Sequence, residues 1–169
     1  MKTIAHVVTL IGLIVLAAGC KPSHRVDFKP ALVSIDPGEG WKRLDIPASP
    51  PVCTPSLISR YGMINALVLD ESVTDLQKAA DKLQSSFATT SKAVQDTFKQ
   101  EEFTTNDGHK GIHLSYSAKS GKNDSVDLHS HSFIFQNRRG RFVSISYITS
   151  PDVESAAVIA AVCKTLRVE

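Results

Sequence analysis

The chain has 169 residues, with 19 lysines and arginines against 17 aspartates and glutamates, a formal net charge of +2 at pH 7. A balance so close to neutral excludes the strong positive field that gathers nucleic acid or an acidic polymer. The length suits one domain with a short extension.

The first twenty residues carry the clearest signal. Lys2 gives a basic start, the stretch from Val7 to Leu16 is apolar except for Thr9 and Gly12, and Ala17-Ala18-Gly19 leads into Cys20. A spanning helix needs about 20 apolar residues, and this run is shorter and contains His6. Its proportions are those of a secretory signal with a small-residue cleavage site. Leu16-Ala17-Ala18-Gly19-Cys20 resembles the lipobox of bacterial lipoproteins, which implies cleavage before Cys20 and acylation of its thiol. Residues 1–19 are therefore expected to be a signal peptide. Two or three acyl chains on Cys20 would then anchor the protein firmly in a lipid bilayer. Lys21, where an aspartate commonly means inner-membrane retention in Gram-negative bacteria, resembles the outer-membrane pattern.

Acylation of Cys20 leaves Cys53 and Cys163 as an even pair in an oxidising compartment, which predicts a disulfide between them. The plainer alternative is two separate buried thiols. Neither cysteine has a neighbour that looks like an activating base, so a catalytic thiol is not expected.

Residues 20–40 read as the acylated cysteine and a flexible linker, punctuated by Pro22, Pro30 and Pro37 and closed by Gly38 and Gly40. Val33 and Ile35 leave room for a first strand there. Trp41 opens the expected domain, 41–169, with a short strand to Ile46. Pro47, Pro50, Pro51 and Pro55 then place Cys53 in a rigid loop. The apolar run from Met63 to Leu69 predicts a central strand buried on both faces.

A helix follows, with Thr74 as N-cap and Gln77 completing a capping box. Leu76, Ala80, Leu83 and Phe87 form one apolar stripe, which faces a core more often than a membrane. Further strands are predicted from Phe98 to Thr105, around Ile112, Leu114 and Tyr116, from Leu128 to Gln136 and from Phe142 to Thr149. Asn106-Asp107-Gly108 and Asn137-Arg138-Arg139-Gly140 are the turns between them. A C-terminal helix is expected from Ser150 and Pro151 to Arg167, with Cys163 on its inner side.

This order predicts an α+β fold, an antiparallel sheet of about five to six strands with an early helix and a C-terminal helix packed on it as an α/β sandwich. The opening tryptophan, the early helix, the meander and the ending Cys163-Lys164-Thr165-Leu166-Arg167 resemble the PsbP-like and DcrB-like α/β sandwich group. The resemblance implies a non-enzymatic accessory or partner-binding role, and no residue matches a defined functional motif that could be carried over.

Among chemistry-bearing residues, His129 and His131 share one face of a strand, with His109 and His113 near the neighbouring strand. Neutral imidazoles so placed could bind Zn²⁺ or Cu²⁺. Phe133 and Phe135 continue the same face, so the histidines equally extend a packed surface. Arg138, Arg139 and Arg141 could grip phosphate or carboxylate, or simply solvate a turn. No nucleophile elbow, HExxH or phosphate loop occurs. The expectation is a membrane-anchored envelope lipoprotein, not an enzyme and without a cofactor, serving a protein partner of unknown identity and no nucleic acid. The alternatives are a metal-binding envelope protein using the histidines, and a small hydrolase.

Overall fold

The computed structural model describes residues 24–45, 52–90, 92–120, 122–152, 157, 160–161 and 163–169. The signal peptide and Cys20 lie outside the described residues.

The protein is mostly β, which corrects the expected α+β sandwich of five to six strands and two helices. Strands β1 (Val26–Phe28), β2 (Val33–Ile35) and β10 (Arg167–Val168) form a small antiparallel sheet in the order β1-β2-β10. The main sheet has seven antiparallel strands: β3 (Lys42–Leu44), β4 (Val52–Ser59), β5 (Gly62–Val68), β6 (Lys99–Thr104), β7 (Lys110–Ser120), β8 (Val126–Gln136) and β9 (Phe142–Thr149). Their spatial order is β3-β4-β5-β9-β8-β7-β6. One continuous helix, α1 (Leu76–Thr90), is described. Of the expected C-terminal helix, residues 153–156, 158–159 and 162 lie outside the described residues. Ala157, Ala160, Ala161 and Cys163 have helical backbone, and the chain then enters a strand rather than continuing as helix to Arg167.

Three layers result. Ile64, Ala66, Phe133, Phe135, Val143, Ile145 and Tyr147 turn one face of the main sheet toward Phe28, Ala31, Val33, Ile35 and Val168 of the small sheet and its loop. The other face sends Leu67, Ile112, Leu114, Ile134 and Phe142 against Ala79, Ala80 and Leu83 of α1. The alternating side-chain direction of a strand makes both cores possible from one sheet. The apolar stripe of α1 therefore faces the core. Its cap is Asp75 rather than Thr74: Asp75 Oδ1 accepts from the Lys78 N–H at 2.8 Å.

Two further sequence expectations change. Residues 24–40 are not a flexible linker: Phe28, Ala31 and Ile35 are fully buried. Prolines sit around the short strands β1 and β2 rather than inside them, so punctuation there marks turns. Cys53 lies in a strand, not a proline-fixed loop. The β4–β5 register shifts between Cys53 and Leu57, and this irregularity accommodates Pro55, which has no N–H to donate. The strand at the middle of the sheet is β9, buried along nearly its whole length, with β5 beside it.

Candidate functional site

The histidines gather where β6, β7 and β8 run past the small sheet. Register pairs Glu101 with His113, and Ser115 with His131, so Glu101, His113, His129 and His131 rise from one face. His113 and His131 are half-buried and His129 is exposed. The His113 Nε2 and His131 Nδ1 atoms are 3.0 Å apart, and His113 Nδ1 is 3.8 Å from Glu101 Oε2. The carboxylate favours a proton on His113 Nδ1, which leaves Nε2 to accept from the Nδ1–H of His131. Phe133 stacks on the His113 ring at a centroid distance of 4.4 Å.

Burial lowers the pKa of His113, against a raising influence from Glu101. Burial, then the neighbouring His113 and His129, bring His131 down to about 4. At neutral pH the pair is uncharged and internally bonded. His129 and His131 look onto a shallow cleft that also includes Asp96, Lys99, Ser115 and Ser117. His109 stands apart, beside Asp107 at 4.0 Å. Among the described residues no group of three or more His, Cys, Asp or Glu is placed to hold a metal ion. The sequence pointed to His129 and His131 but missed that the hydrogen-bonded partner of His131 is His113, a contact across strands that only the register shows.

Cys53 and Cys163 are free thiols, not at disulfide distance. Both belong to the core between the two sheets. Burial raises the Cys53 thiol and pushes Cys163 up to about 12, although a hydrogen bond with the Tyr147 hydroxyl works the other way. Such thiols are poor nucleophiles.

A second polar surface lies at the small sheet. Arg25, Ser34, Arg138, Arg167, Asp107 and Glu169 line an open cleft of about 610 Å³. Arg25 is fixed there by donating to Ser34 Oγ at 2.8 Å and to the Thr165 carbonyl at 3.2 Å. Arg138 arrives on the β8–β9 hairpin, which Asn137 ties down by donating to the Ala31 carbonyl at 3.0 Å. Asp107 is turned inward: the Thr105 hydroxyl and the Val168 N–H donate to its two oxygens. Burial works against its ionisation, but these two bonds, its own backbone N–H and the nearby His109 together hold the carboxyl below its usual range. Sequence reasoning found the hairpin arginines and missed Arg25 and Arg167, which stand far apart in the chain.

The layer order, a small sheet over one face of a long antiparallel sheet and a helix over the other, invites comparison with solved structures. Cyanobacterial PsbP (CyanoP) from Synechocystis sp. PCC 6803 superposes with a TM-score of 0.60 at 15% identity, covering 90% of this chain and 95% of that one. The fold is PsbP-like. A Bacteroides thetaiotaomicron protein gives a TM-score of 0.48 at 13% identity over 82% of this chain and 45% of its own. No protein-family model and no curated protein matches the sequence. The PsbP-like likeness is one of fold, and the histidine and arginine clusters are described from this chain alone.

Proposed function

We propose that this protein is a lipid-anchored, non-enzymatic accessory module of a bacterial cell envelope, tethered through acylated Cys20 and binding a protein partner. One observation carries the reading. In Leu16-Ala17-Ala18-Gly19-Cys20, the cysteine has only five residues between it and the first described strand of a PsbP-like fold. A lipid on Cys20 would hold that fold beside the bilayer, and a module fixed there meets its partners at high effective concentration. The surface offered to the partner is the open end of the main sheet, where Ser115, Ser117 and His129 lie beside the neutral His113–His131 pair.

Mass analysis of the N-terminal peptide from membrane fractions tests the anchor, with Cys20→Ala as the comparison. A diacylated or triacylated Cys20, and loss of membrane association in the variant, are expected; an unmodified Cys20 overturns the anchor. A photo-crosslinking residue at Ser117 in intact cells tests the partner. A specific adduct, reduced by His129→Glu, is expected, and failure to form one above the level of a residue placed on α1 counts against this face.

A further inference from the structure

The fold starts closer to Cys20 than the sequence suggested. Proline spacing implied a tether running to Gly40, but β1 begins at Val26, and Lys21–Arg25 is all that separates it from the cysteine. Six residue steps span at most about 20 Å fully extended. A domain of this size is about 40 Å across. A tether shorter than the body it holds does not let every face reach the bilayer: only the surface around residues 24–26 does.

That surface is the arginine cleft. Arg25, at the end of the tether, is locked to Ser34 and Thr165. Arg167 pairs in register with the same Ser34, and Arg138 completes the cleft from the hairpin. Arg138 and Arg167 are exposed, and among the described residues neither guanidinium has a hydrogen-bond or ion-pair partner. The acidic groups on this face are Asp107, an ionised carboxylate that accepts from Thr105 and Val168, Glu169 on the cleft wall, and the exposed Asp27, in register with Ser34. The guanidiniums therefore stand among carboxylates, and it is their fork geometry, more than net charge, that suits a phosphate. Guanidinium forks match phosphate oxygens in geometry as well as charge.

We propose that the Arg25–Arg138–Arg167 face is the membrane-facing surface of the domain and binds the phosphates of anionic lipid headgroups in the bilayer that holds Cys20. The inference rests on the lipid anchor proposed above. The acyl chains supply the affinity, and the three guanidiniums supply orientation. They turn the small sheet toward the lipid and leave the histidine end of the main sheet, on a different part of the molecule, available to a partner. Weak individual contacts suffice because the tether already places the headgroups within reach.

The test uses the full lipidated chain in vesicles of phosphatidylcholine, with and without added phosphatidylglycerol, footprinted with an arginine-specific dicarbonyl reagent and read by mass spectrometry. Arg138 and Arg167 are expected to react roughly fivefold more slowly in the anionic vesicles, the weight of about one headgroup contact. Arg60, on the β4–β5 turn, serves as the internal reference and is expected to be unchanged. High salt should erase the difference, since exposed charges are screened within about 10 Å or less. Equal footprints in the two vesicles overturn the proposal. So does equal protection by inorganic phosphate added to neutral vesicles, which would reveal a small-anion site instead. Protein that fails to float with neutral vesicles shows that the anchor itself is wrong, and this surface falls with it; protein that floats with both and shows no difference at Arg138 and Arg167 overturns the surface alone.

Discussion

His113 and His131, on neighbouring strands, share a 3.0 Å imidazole–imidazole hydrogen bond with Glu101 behind His113 and His129 beside His131. This makes native stability sensitive to mild acid. The His131 pKa falls from an ordinary 6.5 to about 4 in the fold, through burial and then through His113 and His129. Above pH 6.5 the ring is neutral in both the folded and unfolded chain and contributes no slope. Between 6.5 and 4 the unfolded chain takes up a proton that the native state refuses, so stability is lost as pH falls. His113, also lowered, acts in the same direction, while Glu101 opposes it. The loss by pH 4 should be about 2 kcal/mol, after allowing for the solvent-exposed part of the rings. Urea midpoints measured across this range should show it, and His131→Gln should flatten the slope. Carboxylates titrate in both proteins, so identical slopes would remove the histidine pair as the cause.

Asn137 joins the two sheets. Its Nδ2 donates to the Ala31 carbonyl at 3.0 Å, and its Oδ1 accepts the Arg139 and Arg141 N–H groups at 3.0 and 3.1 Å. The side chain is buried, so its removal leaves three backbone groups short of a partner. Asn137→Ala should cost about 2–3 kcal/mol, against a few tenths for Arg139→Ala on the exposed turn. Denaturant titration checks both, and equal midpoints for the two variants would contradict the linking role.

The thiols give a prediction that distinguishes two states of the same pair. Cys53 and Cys163 are not bridged to each other, and burial shifts both thiols upward, Cys163 to about 12. Native protein should therefore react slowly with a thiol-exchange reagent, and two thiols besides Cys20 should react on unfolding without reductant. No reactive thiol in the unfolded, unreduced protein would mean that the pair is bridged in the exported chain.

How much of this was legible in the sequence depends on element length. The long alternating segments around Ile112–Tyr116 and Phe142–Thr149, the turns at Asn106-Asp107-Gly108 and Asn137–Gly140, and the stripe of α1 all carry enough residues for periodicity to show, and the structure has them. Three-residue strands carry fewer: the sequence marks a short strand between Trp41 and Ile46 and leaves room for one at Val33 and Ile35, but gives no sign of Val26–Phe28. Val26–Phe28 and Val33–Ile35 are held by burial of Phe28, Val33 and Ile35 against the main sheet, which local sequence does not encode. For that reason the fold is more β-rich than expected and the small sheet was read as tether. The histidine face followed the same rule. The i, i+2 spacing put His129 and His131 together, but His113 joins them through strand register, and Arg25 joins Arg167 only through the closing of the small sheet.

Whether residues 24–40 belong to the fold is the point on which the short tether depends, and Phe28 decides it. Its ring is fully buried among Val33, Ile35 and the inward face of the main sheet, whereas the adjacent Lys29 is exposed. Truncating a buried phenylalanine removes its transfer free energy and leaves a cavity, so Phe28→Ala should cost about 3–5 kcal/mol. Lys29→Ala, one residue away on the same turn, should stay within about 0.5 kcal/mol of the parent. In a flexible linker the two substitutions would be equally silent, because neither side chain would lose contacts on unfolding. Urea denaturation of the two variants separates these cases without reference to any activity. A neutral Phe28→Ala would return the first strands to the tether, lengthen its reach, and release the arginine face from the bilayer.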